Sequence, residues 1–310
     1  MSREAIRSGI ETLIQPASEA ARSWLGGQIR DRVVGAHPDA KAEAIFNAPG
    51  PRWFAADRPI HRVHSDASMF VGGLRALLFQ SLHPLAMAGV AQHSDYRTDP
   101  WGRLQRTADF LAATTFGPAD LAEQSIAIVR RVHERVVGTA ADGRTYSAND
   151  PHLLHWVHLA ELDSFLAAYR RYGASPLSRA EADAYVEDSG FIARKLGVEN
   201  PPDSVVELRR QLQGFRPELR GTREARDAAK FLLIEPPVPL AARPAYLSLA
   251  GAAVALMPAW TRWPLRLPLL PVTERLIARP AGAVVTGLIR WSLPSRATAT
   301  PSPTGASDVA

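Results

Sequence analysis

Residues 150–173 read DPHLLHWVHLAELDSFLAAYRRYG, and this stretch decides the fold class. An aspartate followed by proline is typical of a helix start, because aspartate caps free backbone N–H groups and proline suits the first helical position. The glycine after the last turn favours the left-handed conformation that closes many helices. The stretch therefore predicts one long helix from Pro151 to Tyr172.

Proline at a predicted helix start and glycine just after its end recur in the segments before this stretch. Asp99-Pro100 opens a predicted helix that ends at Gly117, and Gly117-Pro118 opens a second one, Pro118–Val137, that ends at Gly138. Helical patterns also predict the segments Arg179–Leu196, Pro202–Phe215, Arg223–Leu233, Ala242–Leu256 and Pro271–Trp291, the last interrupted by Pro280. Strand alternation is scarce: two short stretches, Arg52–Phe54 and Gly143–Tyr146, fit turns or a small hairpin, and neither changes the prediction of an all-α protein.

Three parts of the chain differ in composition. Residues 1–45 predict an amphipathic helical extension, with Ile6, Ile10 and Leu13 on spaced turns. Residues 46–293 form the predicted helical domain. Residues 294–310 are rich in Pro, Ser, Thr and Ala, a composition typical of disorder.

Composition excludes several kinds of site. The 310 residues include no cysteine, which rules out disulfides, cysteine-ligated zinc, iron–sulfur clusters and thiolate nucleophiles. The net charge of +5 comes from 36 basic residues against 31 acidic ones, without a lysine-rich run or a basic stripe. We therefore expect a generally basic surface and no nucleic-acid partner.

The chain shows no secretory signal and no apolar stretch long enough to span a membrane. A cytoplasmic location is the resulting expectation. One segment, Leu256–Leu276, mixes Trp260, Trp263, Arg262 and Arg266 with prolines and leucines. That mixture is typical of peripheral membrane contact, although packing into the core is a commoner reason for it.

All nine histidines lie between His37 and His158. His133 shares one predicted helix face with Ala122, Ile126 and Val129, since their spacings are three and four. Two interpretations stay open: a buried histidine hydrogen-bonded to a neighbour, or an axial ligand to haem iron. Arg130, one turn earlier, is either solvent-facing or a partner for haem propionates.

Polar residues form a second candidate group on the preceding helix. Arg103, Arg106 and Thr107 share a face, which suits binding an anion or polarising dioxygen, or else simply forms the solvated side of the helix. His83 stands between two apolar segments, where Pro84 restarts the helix, and is a candidate pocket residue.

Three histidines recur along the helix that begins at Pro151. His152, His155 and His158 are three residues apart and so about 60° apart around the axis. The chain has no Glu-x-x-His pair, which disfavours a dedicated non-haem metal site. His155 and His158 are predicted to pack or hydrogen-bond near a pocket.

Taken in order, five motifs resemble one known family. They are HRVHSD (61–66), LLFQSLHPLAMAGVAQHS (77–94), DPWGRLQRT (99–107), VRRVHERVVG (129–138) and YSANDPHLLHWVH (146–158). This series is similar to that of the rubber oxygenases (latex-clearing proteins) and the MpaB-type oxygenases, over roughly residues 50–235.

The resemblance implies an all-helical, globin-like fold around a central apolar pocket that holds one b-type haem. It makes His133 the proximal iron ligand, and Arg103, Arg106 and Thr107 match an Arg-x-x-Lys-Thr motif. Arg106 replaces the lysine of that motif. Arginine stays protonated and ligates iron poorly, so the resemblance here implies an open or water-filled sixth position. The acidic pocket residue of rubber oxygenases has no clear counterpart; His83 and Met87 occupy its neighbourhood.

The implied function is dioxygen-dependent oxidation or cleavage of a carbon–carbon double bond in an apolar, isoprenoid-like small molecule or lipid. In this hypothesis His133 is the metal ligand, with cofactor contacts from Arg130, His155 and His158, and catalytic groups Arg103, Arg106, Thr107 and His83. Two alternatives stay open: a haem protein with peroxidase-like or gas-binding activity, and a non-catalytic helical protein that docks on membranes.

Overall fold

The structure, a computed structural model, describes residues 38–293 and six isolated earlier positions (19, 22, 23, 26, 27 and 35). Most of the predicted N-terminal extension (1–45) and all of the predicted disordered tail (294–310) lie outside these residues.

Helices dominate the described part of the chain, which confirms the all-α class. They are α1 Pro38–Ala42, α2 Pro59–His64, α3 Met69–Gln80, α4 Pro84–His93, α5 Pro100–Phe116, α6 Ala119–His133, α7 Pro151–Tyr172, α8 Arg179–Leu196, α9 Val205–Phe215, α10 Arg223–Leu233, α11 Arg243–Leu256, α12 Ala259–Leu265, the single turn α13 Pro271–Thr273, and α14 Arg279–Ser292. π-Helical turns, Glu43–Asn47 and Glu274–Ala278, extend α1 and join α13 to α14. Short 3₁₀ turns, Arg216–Glu218 and Leu240–Ala242, follow α9 and precede α11.

Helix α6 is shorter than the sequence predicts. It ends at His133, and the prediction that it continues to Val137 is wrong. Val137–Thr139 instead forms strand β1, which pairs antiparallel with strand β2, Thr145–Ser147. The hairpin gives the backbone of Val137 hydrogen-bond partners in a second strand, so the glycine at 138 marks a strand and not a helix end.

Capping side chains explain why other boundaries agree with the sequence. Asp99 accepts a hydrogen bond from the Gly102 N–H, and Asp150 accepts one from the His152 N–H. Ser178 completes a capping box at α8. Each cap satisfies a backbone donor that the first turn leaves free. Helix α9 begins later than predicted, because the Ser204 side chain caps it.

Helix α7 lies at the centre of the core. Trp156, Leu159 and Ala160 have no accessible surface, and α3 packs along α7 over its length. The two helices approach closely at Gly72, where an added Cβ would lie 2.9 Å from Cδ1 of Phe165. A glycine is therefore required at this crossing.

A buried arginine joins three helices around the crossing. From α3, Arg75 donates hydrogen bonds to the Asp163 carboxylate (2.6 Å), the Ser164 hydroxyl (2.6 Å) and the Leu256 carbonyl (3.1 Å). Its side chain is 3% exposed. These hydrogen bonds offset the cost of removing the Arg75 guanidinium from water. They also hold α11 against α3 and α7.

Candidate functional site

His133 borders the apolar core through the face that the sequence predicts. Ala122 and Ile126 on the same face of α6 are 1% and 4% exposed, and Ile126 belongs to the main core cluster. The Nδ1 atom of His133 is buried and has no hydrogen-bond partner among the described residues. Burial lowers the pKa of His133, which keeps the ring neutral at pH 7.

His158 is the second imidazole with an unsatisfied nitrogen. It lies on α7 among the core residues Trp156 and Leu159, and its Nε2 is buried without a partner in the described structure. Burial lowers the pKa of His158 to about 3. A buried polar atom without a hydrogen bond costs about 1–3 kcal/mol. The described residues contain eight such side-chain atoms, and those of His133 and His158 are the two imidazole nitrogens among them.

Glu161 lies one turn beyond His158 on α7. Burial raises the pKa of Glu161 to about 7, and no described side chain or backbone group donates a hydrogen bond to its carboxyl group. Both Glu161 and His158 are partly buried, and their spacing of three residues places them on the same side of α7, next to the apolar core.

A hydrogen-bonded chain leads from this region to α5. The hydroxyl of Tyr185 lies 3.2 Å from Nε2 of His64, and Nδ1 of His64 lies 2.8 Å from the Thr115 hydroxyl. Burial lowers the pKa of His64 to about 3 and raises that of Tyr185, which also interacts electrostatically with Glu161. Helices α2, α5, α7 and α8 thus each contribute a polar group to the interior.

The structure separates the three α5 residues that the motif brings together in sequence. Arg103 is largely enclosed, and burial lowers the pKa of its guanidinium. The Arg106 side chain is 65% exposed and pairs with Asp99 at 3.3 Å. The Thr107 hydroxyl donates to the Arg103 carbonyl within the helix. Of the three, Arg103 has the surroundings expected of a pocket residue, because the other two lie at the exposed side of α5.

His83 lies in a cluster with His152 and Glu218. The three candidate ligand atoms lie within 4.8 Å of one another, the geometry of a small metal site. Hydrogen bonds also account for the cluster, since Glu218 Oε2 is 2.8 Å from His152 Nε2 and 3.4 Å from His83 Nε2. Nδ1 of His83 accepts the N–H of Ala86, so the ring hydrogen belongs on Nε2, which then donates to Glu218 instead of ligating an ion.

Two further predicted site residues, His155 and Arg130, contact groups outside the two clusters described above. Nε2 of His155 lies 2.7 Å from the Gln211 side-chain oxygen, and its ring packs edge-on against Phe215. Arg130 is exposed and lines a surface cleft with Glu123 and Lys195. The sequence pattern predicts His133 and His158 as site residues, and it does not single out Glu161, His64 or Tyr185. The one signal for Glu161 was a carboxylate inside the apolar run LHWVHLAEL.

The described residues thus form a predominantly helical protein with two unpaired imidazole nitrogens, of His133 and His158, and an unpartnered carboxyl group, of Glu161, beside an apolar core. Residues 61–292 match the family described as ER-bound oxygenase mpaB/B′/rubber oxygenase, catalytic domain. The match covers well over half of the chain, which therefore belongs to this family. No curated protein and no solved structure gave a significant match.

Proposed function

We propose that this chain is a haem b-dependent oxygenase that oxidises or cleaves a carbon–carbon double bond of an apolar, isoprenoid-like substrate with dioxygen. One observation carries the proposal: the buried, unpartnered Nδ1 of His133 beside the core of a chain that belongs to an oxygenase family. An imidazole held neutral in apolar surroundings is the form that ligates haem iron.

The donor set fits a haem better than it fits a free metal ion. Haem needs one neutral imidazole, apolar walls for the porphyrin and cations for its propionates. His133 supplies the imidazole, the core around Ile126 supplies apolar contacts, and Arg103 supplies an enclosed cation. When bound, haem would supply the iron that activates dioxygen.

The remaining groups of this chain have separate tasks in the proposal. His133 would hold the iron through one ring nitrogen, and the buried Nε2 of His158 would be free to hydrogen-bond to a bound molecule or an ordered water. Arg103 orients an anionic or polar oxygen by hydrogen bonding. Burial raises the pKa of Glu161 to about 7, so the carboxyl group is partly protonated at neutral pH and can donate its proton to an oxygen atom of a bound molecule. Arg106, which pairs with Asp99 at the surface, has the weakest claim to the catalytic role predicted for it.

The proposed cleavage balances without a further reactant. One dioxygen and one double bond give two carbonyl groups, so no external reductant is consumed. The protein reconstituted with hemin and reduced once should therefore consume oxygen with a short isoprenoid alkene and release aldehyde or ketone products continuously. Equal product without dioxygen, or none with it, would contradict the proposal.

A gas-binding or peroxidase-like haem protein is the second candidate, and the same assay separates it. Such a protein binds haem through His133 but leaves the alkene unchanged in dioxygen. Peroxide-dependent oxidation of a phenolic dye without alkene cleavage would favour the peroxidase-like function.

A further inference from the structure

Large apolar side chains are exposed together in the last part of the described chain. Nine of the seventeen large exposed apolar residues among 38–293 fall between 263 and 291. We name this set the C-terminal apolar face; its members are Trp263, Leu269, Leu270, Val272, Leu276, Ile277, Val284, Leu288 and Trp291. Trp263 is 90% exposed, which is unusual for a residue that gains so much from burial.

The face follows one side of the helical segment 271–292. Val272, Leu276, Val284 and Leu288 are spaced by fours, with Pro280 between them, and Trp291 follows three residues later. This stripe extends along about 30 Å of helix. The opposite side is the one that packs on the protein. There Gly282 lies so close to α11 that an added Cβ would be 2.5 Å from that of Ala252.

Positive charge is concentrated in the same part of the chain. Residues 240–293 contain six arginines and one acidic residue, Glu274, giving this segment a formal charge of +5. That equals the formal charge of the whole chain, so the other residues are neutral on balance. Glu274 is itself paired with the buried Arg262 at 2.8 Å, whereas Arg266 and Arg275 are exposed beside the apolar side chains.

We propose that the C-terminal apolar face docks on the surface of an anionic lipid bilayer. Exposed arginines attract anionic headgroups, and tryptophan and leucine side chains enter the boundary between headgroups and acyl chains. Among the described residues, no single helix is both long and apolar enough to cross a membrane. A helix with one apolar side and one side packed on the protein suits an orientation parallel to the bilayer.

The apolar helix pair that precedes the face is apolar because it packs into the protein core. Leu240–Leu256 and Ala259–Leu265 together have the length and composition of a broken span, with a bend of 118°. Leu249, Ala252 and Ala253 of that pair are buried against α3 and α7, however, so these residues belong to the protein core. Docking requires the exposed face alone and does not depend on the proposed haem chemistry.

Flotation of the full-length protein with lipid vesicles tests the proposal. Wild type should float with phosphatidylcholine vesicles containing about 30 mol% phosphatidylserine, and at least tenfold less with phosphatidylcholine alone. The double variant Leu276→Glu/Ile277→Glu should lose binding by about tenfold or more. Arg266→Glu/Arg275→Glu should abolish the preference for anionic vesicles.

A matched control is Val206→Glu, which changes a 76% exposed apolar residue on α9 outside the face. It should bind vesicles as wild type does, and thermal unfolding should show that all variants are folded. Absence of wild-type binding to anionic vesicles overturns the proposal, as does equal binding of wild type and Leu276→Glu/Ile277→Glu. The proposal is also overturned if wild type does not bind vesicles but forms a concentration-dependent dimer, and the substitutions Leu276→Glu/Ile277→Glu disrupt that dimer.

Discussion

Replacing Glu161 by glutamine should stabilise the haem-free protein at neutral and alkaline pH. Glutamine has nearly the same shape but cannot ionise. The Glu161 carboxyl group has no described hydrogen-bond donor, and burial raises its pKa from 4.5 to about 7. The wild-type protein must therefore either retain a proton there or keep an unpaired charge in its interior.

The size and pH window of the effect follow from these two pKa values. Below pH 4.5 the group is protonated in both the folded and the unfolded chain and contributes nothing. Between pH 4.5 and 7 the unfolded chain loses the proton first, so folding becomes progressively less favourable. Above pH 7 the penalty is constant at about 3 kcal/mol.

Urea unfolding at pH 5, 6, 7 and 8 measures this effect. The free energy of unfolding of Glu161→Gln should exceed that of wild type by less than 1 kcal/mol at pH 5 and by about 3 kcal/mol at pH 8. Glu207→Gln is a suitable control: Glu207 is hydrogen-bonded to Arg210 and Gln211, and its pKa is lowered to about 2. Its difference from wild type should not change across this range. A pH-independent difference for Glu161→Gln would refute the reasoning, because it would mean that the carboxyl group already ionises freely in the folded protein.

Four further substitutions test other parts of the structure by denaturant unfolding. His158→Phe should relieve acid sensitivity, because the pKa of His158 is about 3 in the folded protein and neutral His158 costs the wild type stability as the pH falls below 6.5. The free energy of unfolding of the variant should therefore rise by about 2 kcal/mol relative to wild type between pH 6.5 and 4.5, and a constant difference would contradict this. Arg75→Met should lose about 3 kcal/mol, because Asp163 keeps its charge without its partner, and a neutral effect would show that the buried hydrogen bonds contribute little. Gly72→Ala should destabilise by about 1–3 kcal/mol at the helix crossing. Gly73→Ala, where the added Cβ meets open space, should stabilise by up to about 1 kcal/mol, so equal effects at both glycines would contradict the assigned packing.

Helix boundaries were predictable because capping is local. Asp150-Pro151 contains the information for the start of α7, and Ser178 with Glu181 does the same for α8. Gly173 does follow the last residue of α7, but its backbone is extended, so the left-handed conformation predicted for it is wrong. The end of α6 was not predictable in this way. Val137 joins a strand through pairing with Ser147, and such pairing depends on residues further along the chain.

The burial of a side chain was harder to predict than the helix face on which it lies. Arg103 and Arg106 are one turn apart and share a face in projection, yet one is enclosed and the other is 65% exposed. Periodicity gives the direction of a side chain around its axis, but neighbouring helices decide what covers it. The same limit explains why Glu161 was missed.

Contacts between residues that are far apart in the chain could not be predicted from the sequence. His83 pointed to a pocket because a polar side chain stood between apolar segments, and the structure instead places it against His152 and Glu218. Glu218 follows His83 by 135 residues, and no local pattern couples the two. The placement of His133 on an apolar face was predictable, whereas its unsatisfied nitrogen became visible only in three dimensions.

Hemin titration of the purified protein, followed by its Soret spectrum, tests the central claim most directly. Wild type should bind one hemin per chain with a sharp, red-shifted Soret band, and His133→Ala should lose this band. His93→Ala, which alters an exposed histidine bonded to the Val137 carbonyl, should behave as wild type. If His133→Ala binds hemin with an unchanged spectrum, or His158→Ala alone abolishes the band, the assignment of His133 as the iron ligand is contradicted.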